Sequence, residues 1–483
     1  MSRTRTGAAP LRRIPAPLIA LLVAATACAI AWCIVLPPLQ GPDEISHFTY
    51  TQWIVEHGDI PWRAGREAIP PAPRPYSTEV AIALDETGFG QLQGQALARP
   101  WWTSLDEGLW AKAERRISDK QRRDEIGDTT SFLNGPAYYL YGVVPYEIAR
   151  GGTFFDRLMA MRLANIPLLL LTLVFVWLVA GELVGRGWPQ VVATGFAACI
   201  PQLLNMTATF NPDVMIAAEW GAGLYLMLLV LRRGPRPRLV ALLALLCVLG
   251  ALTHVRNLPM FVPAAVAVTL ALARERDWTK VTRLRLCGGL VVLISGVVLV
   301  GATSGKGNLR QFGSYIWQFY LPRLPFMNPD PIGPPHHGFL RAYVDQLFGK
   351  LALLEVVPPN GVKVALQLFV LASLAAFAVA VFVHRDALRR RADVVAVLAM
   401  AVFALLALLH LSAYRSMALR NPGDPQITGR YILPLLALIG SAYALIALAL
   451  PRRLAAVFSG LLLAGAVAVQ LDSIRLLLER FYA

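Results

Sequence analysis

Long apolar runs, each ending in a short polar or basic stretch, leave this chain few folds to adopt. The first, Leu18 to Leu36, is long enough to cross a bilayer. Further runs lie at about 159–182, 188–204, 213–231, 238–254, 258–273, 286–303, 361–383, 394–412, 430–449 and 453–470. Apolar runs of roughly 17–25 residues read as spanning helices, since in lipid a helix satisfies its own backbone hydrogen bonds. Of 483 residues, 56% are hydrophobic, and the mean hydropathy is +0.53. The expectation is an all-α polytopic membrane protein with about eleven transmembrane helices.

On this reading residues 1–483 form a single membrane domain. The first transmembrane helix covers 16–36, and a long first extracytoplasmic loop covers 37–158. Helices two to seven lie within 159–303, a late extracytoplasmic loop covers 304–360, and helices eight to eleven lie within 361–470.

The charges orient these spans. The net charge of +15 comes from arginines in short loops: Arg186, the Arg232–Arg238 cluster, the Arg274–Arg285 cluster, the Arg385–Arg391 cluster, and Arg452 with Arg453. A cytoplasmic N-terminus puts them all on the cytoplasmic side, which is the positive-inside pattern. The protein is therefore expected in the cell (inner) membrane, with the tail from Gln470 to Ala483 outside. No basic patch interleaved with aromatics points to nucleic acid. The five cysteines form no CxxC pair and read as small core residues. Arg3, Arg5, Arg12 and Arg13 precede the first run in the manner of a signal peptide, and Ala25-Thr26-Ala27-Cys28 resembles a weak lipoprotein box. The run continues to Leu36, which favours an uncleaved span.

The first loop carries a Pro-rich piece, Pro70 to Pro75, tryptophans at 53, 62, 101, 102 and 110, and a mixed charge run from Glu114 to Glu125. A tyrosine-rich stretch, Gly135-Pro136-Ala137-Tyr138-Tyr139-Leu140-Tyr141, is short for a span and reads as an amphipathic, interfacial or re-entrant helix. Loops this long usually carry a function.

Where the first run ends, Gly41-Pro42-Asp43-Glu44-Ile45-Ser46-His47-Phe48 brings two carboxylates and an imidazole to the membrane edge. Pro42 suits a helix's first turn, acids near its N-terminus are favoured by the dipole, and Asp43 and His47 would share a face. An acidic helix start is the plain reading. The topology, however, brings other polar groups to the same side: Arg157 and Arg162, Asn211-Pro212-Asp213, His254 and Arg256, Lys306, Arg310, His336 and His337, and Gln426, Arg430 and Tyr431. Ionisable groups at membrane depth are costly and become functional candidates. Each also has an ordinary use. Asn211-Pro212-Asp213 makes a turn and cap; His254 and Arg256 can snorkel; His336-His337 fits a solvated Pro/Gly-rich loop. No Walker A loop, GxSxG or HExxH motif is present.

Such a face suits a lipid-phosphate substrate. Arginine or histidine would hold phosphate through charge-assisted hydrogen bonds. A carboxylate would take the proton of an attacking hydroxyl, or orient it through a divalent cation (Mg or Mn) held by Asp43 and Asp213. Tryptophans would stack on sugar faces.

A first span followed by an acidic motif on a long outer loop resembles the GT-C superfamily of membrane glycosyltransferases, which use polyprenyl-phosphate-linked sugars. More closely, the chain resembles the bacterial membrane-protein family called domain of unknown function 2142. Gly41 to Phe48 is similar to that family's PPDEPxHF, Gly135 to Leu140 to its PPLYYL, Arg162-Leu163-Ala164-Asn165 to its RLAN, and Gly429 to Pro434 to its GRYFLP. Asn211-Pro212-Asp213 stands where the family has an acid before the fourth span. Gly41 and Gly135 depart from family prolines without altering a chemical group. The resemblance implies Asp43, with Glu44 beside it, as candidate catalytic carboxylates, Asp213 as a second acid and Arg430 as a donor-phosphate contact. His47, Arg162, His254, Arg256 and Tyr431 complete the expected substrate-binding set. The expected partners are a lipid-linked sugar donor, an envelope glycan or glycolipid acceptor and membrane lipid, with no nucleic acid. Two rival readings are a transporter or lipid flippase, and a non-catalytic envelope assembly partner. The transporter reading lacks inverted repeats and matched broken helices.

Overall fold

The computed structural model describes residues 14–61, 74–92, 107–124, 126–127, 129–303, 308–329, 338–419 and 427–482. Among them the only β pairing is two isolated bridges, Arg74 with Ile126 and Leu351 with Val356. Eight helices are long and apolar enough to cross a membrane: Ala16–Val35, Phe154–Leu183, Asp213–Arg233, Val255–Glu275, Asn360–Val383, Ala392–Ser416, Gly429–Leu448 and Arg452–Phe481. Two shorter apolar helices, Pro237–Thr253 and Arg285–Gly301, accompany them.

Asp213–Arg233 lies at the centre and buries Val214, Trp220, Leu224, Met227 and Val230. Asn360–Val383 buries only Ala380. Leu366, Phe369, Val370 and Ala376 pack against the core from one face, while Val364, Leu368, Leu371, Leu374, Val379 and Phe382 are exposed, as lipid contact requires. The first helix follows Pro15 and stops before Pro37-Pro38, which cannot supply helical N–H groups. Three helices of the first loop fold back over this end of the bundle: Glu44–His57, Thr78–Thr87 and Ala137–Ile148. Gly58, at φ 76°, closes the first of them in the left-handed region and donates its N–H to Ile54 O at 3.0 Å. Glu79, fully buried, fastens the loop to the bundle. It accepts from Gln52 Nε2 at 2.6 Å and pairs with the buried Arg157 at the start of the second long helix.

One expectation is corrected. The run 188–204 is not one helix. It breaks at Cys199-Ile200 into Trp188–Ala198 and Pro201–Thr207, because Pro201 restarts a helix at its first position. The described C-terminal residues from Gln470 are helical. They continue one helix, Arg452–Phe481, whose buried Gln470, Ser473, Leu477 and Phe481 keep it packed. Arg475, between Asp472 and Glu479, adds local ion pairs.

Candidate active site

The Pro37–Glu44 turn is held by a buried guanidinium. Arg162 donates from Nε and Nη2 to Glu44 at 2.7 and 2.6 Å, and to the Leu36 and Pro37 carbonyls at 2.7 and 2.8 Å. The carbonyls ending the first span are thus satisfied without water. Glu44 also accepts from Phe210 N at 3.0 Å. Asn211 Nδ2 donates to Pro42 O at 2.9 Å, and its Oδ1 accepts from Asp213 N at 3.0 Å. The start of the central helix is therefore clasped to the 41–44 turn. Asn165 completes the brace, donating to Thr207 O and Thr209 O at 3.2 and 2.7 Å while accepting from Tyr138 Oη at 3.0 Å.

Asp43 faces away from this brace. It precedes Glu44–His57 with φ 58° and ψ 10°, in the left-handed region, and its carboxylate caps no backbone N–H of that helix. Instead it reaches across the molecule to Arg430 Nη2 at 2.6 Å. Arg430 Nε lies 3.6 Å from Asp213 Oδ2, and Arg256 Nη2 lies 2.5 Å from Asp213 Oδ1. The Arg256 guanidinium rests 4.2 Å over the Tyr431 ring, and that of Arg430 lies 5.3 Å from the same ring. His254 Nδ1 accepts from Arg256 N at 3.0 Å. His47 stands one turn along from Asp43, its N–H donating to Asp43 O at 3.1 Å. Two carboxylates and two guanidiniums therefore alternate in one cluster, flanked by two imidazoles and a phenol.

Arg430 is buried, yet its Nε and Nη1 have no hydrogen-bond partner among the described residues. Both oxygens of buried Asp213 likewise lack a hydrogen bond there. Unmet buried donors on a guanidinium call for an acceptor, and charged oxygen is the best one. Asp43, by contrast, is half exposed. Desolvation raises its pKa, but Arg430, His47 and Arg256 outweigh this and hold it below the ordinary carboxylate range. Burial pushes the His47 pKa down to about 4 against the pull of Asp43 and Asp213.

The structure brings together Asp43, His47, Asp213, His254, Arg256, Arg430 and Tyr431. It does not bring in Glu44 and Arg162, which form their own sealed pair, both about 1% exposed or less in their side chains. Lys306, His336, His337, Gln426, Trp62, Trp101 and Trp102 lie outside the described residues. Trp53 stacks on His57 at 4.2 Å, away from the cluster. A divalent cation does not fit the donor set. Asp43 and Asp213 already face guanidiniums, and no group of three or more His, Cys, Asp or Glu among the described residues could hold one. Sequence reasoning missed the roles of Tyr139, which touches His47, and of Asn134, which donates to Tyr139; the tyrosine-rich stretch read as an interfacial or re-entrant helix.

These elements define an all-helical membrane protein with a charged site at one end of its bundle. The chain belongs to the family of predicted membrane proteins described as DUF2142, whose model matches residues 27–439. No curated protein matches it. The chain is similar to the apo crystal structure of the Archaeoglobus fulgidus oligosaccharyltransferase, at a TM-score of 0.42 and 12% identity, over 96% of this chain. It spans 56% of the length of that structure.

Proposed function

We propose that this protein is a GT-C-type glycosyltransferase of the cell membrane. It transfers a sugar from a polyprenyl-phosphate-linked donor to a hydroxyl of a cell-envelope glycan or glycolipid on the outer face. The observation that carries this reading is the buried Arg430, bridging to Asp43 while its Nε, 3.6 Å from Asp213, and its Nη1 make no hydrogen bond among the described residues. A phosphate seated on those donors would lie beside a half-exposed carboxylate.

The reaction is a single displacement. The acceptor oxygen attacks the anomeric carbon while the carbon–oxygen bond to phosphate breaks. Polyprenyl phosphate leaves with that electron pair, held by Arg430 and Arg256, and the hydroxyl proton passes to Asp43. A positioned base contributes about 10²–10⁴-fold, and stabilisation of the leaving anion usually more. Glu44 and Arg162 act as positioning residues, since they fix the turn from which Asp43 projects.

Transfer from a labelled polyprenyl-phosphate sugar in membranes tests the proposal. Wild type forms product, and Asp43→Asn loses at least about a hundredfold of the rate. Equal rates would remove Asp43 from the mechanism. Counterflow of substrate in proteoliposomes with no covalent product would replace the reading with a transporter.

A further inference from the structure

His47 is a member of the charged cluster, and a single proton decides what it can do there. Its Nδ1 lies 2.8 Å from Tyr139 Oη. That hydroxyl accepts from Asn134 Nδ2 at 2.9 Å. An amide NH₂ only donates; were His47 to donate as well, the buried Tyr139 proton would have no acceptor among the described residues, so it goes to His47 Nδ1. A neutral imidazole whose Nδ1 accepts must carry its hydrogen on Nε2. The relay is rigid. Tyr139 is fully buried and stacks on Tyr50, ring centres 3.7 Å apart, and the Tyr50 hydroxyl is anchored to Asn134 O at 3.3 Å. The charged or titratable groups around the ring are Asp43 on its own element, Asp213, Arg256 and Arg430 from three others, and His254.

We infer that Asn134 and Tyr139 lock His47 as the Nε2–H tautomer, making it a fixed neutral hydrogen-bond donor to a substrate hydroxyl or phosphoryl oxygen, and not a proton acceptor. Asn134 and Tyr139 are positioning residues that act through His47. The inference rests on the proposed function for what receives the hydrogen bond, but not for the tautomer itself. It leaves Asp43 as the base.

The full chain, labelled with ¹⁵N-histidine in nanodiscs, reads the tautomer directly, and His47→Gln assigns the signals. At neutral pH the wild-type ring shows a bare Nδ1 and a protonated Nε2. A protonated Nδ1, or averaged tautomers, overturns the proposal. Asn134→Asp is near-isosteric and reverses the relay. The carboxylate accepts a hydrogen bond from the Tyr139 hydroxyl, the tyrosine oxygen then accepts from His47, and His47 switches to Nδ1–H; an unchanged spectrum overturns the proposal. In transfer assays Asn134→Asp loses about tenfold or more. His47→Gln, whose amide can donate from near the Nε2 position, retains more activity than His47→Ala. Equal loss in both substitutions overturns the donor role. Failure of the transferase reading leaves no product in any variant, while the spectrum still reads the tautomer.

Discussion

Asp43 reaches Arg430 because its backbone enters the left-handed region, where few residues other than glycine are at ease. Asparagine shares that tolerance with aspartate. Asp43→Asn therefore removes charge while keeping the turn, and its expected loss of about 10²–10⁴-fold in transfer is a measure of the carboxylate alone. Asp43→Ala should add a loss of thermal stability that Asp43→Asn lacks, visible in a detergent melt. Titration of His47 has a definite sign. Its folded pKa of about 4 lies below the ordinary 6.5. The unfolded chain therefore takes up a proton that the folded one refuses. The stability contributed by the neutral ring is complete above about pH 6.5 and is lost as pH falls from there through about 4. Asp43, also held low, acts in the same direction further into acid. The melting temperature should fall on acidification across that window, and His47→Gln should flatten the fall.

The 37–48 segment splits two adjacent carboxylates between two tasks. Asp43 goes to the charged cluster, and Glu44 goes to Arg162 in a sealed pair that closes the first span. Removing one partner of a buried pair leaves a stranded charge and costs roughly 3–5 kcal/mol. Glu44→Ala should therefore unfold at markedly lower temperature. Glu44→Leu combined with Arg162→Met should recover most of that loss, as measured by the same melts. Gly135 has an equally local reason to be glycine. A Cβ there would sit 2.0 Å from Leu252 O, so Gly135→Ala must push two elements apart. Sequence alone marked the acidic turn, Asp213, Arg256 and Arg430 as neighbours, because alternation of spans and basic loops fixes which residues share an end. It could not separate Asp43 from Glu44, since a single left-handed residue sends consecutive side chains in opposite directions. Nor could it read the Asn134–Tyr139–His47 relay, because a buried tyrosine and an interfacial one look alike in a string of letters.

At the scale of the whole molecule, the positive-inside pattern predicts that the charged cluster opens outside the cytoplasm. In a cysteine-free background, Glu147→Cys should react with an impermeant maleimide in intact cells, and Arg233→Cys only after permeabilisation. Both positions are exposed at element ends. The opposite labelling would end the outer-face reading. The contact between Asp43 and Arg430 also joins positions 387 residues apart. During synthesis the acid enters the membrane early and its guanidinium among the last. A half-made chain in the translocon thus holds Asp43 without the guanidinium it pairs with in the folded protein. On the proposed reading, birth order keeps the donor site incomplete until the closing helices are made.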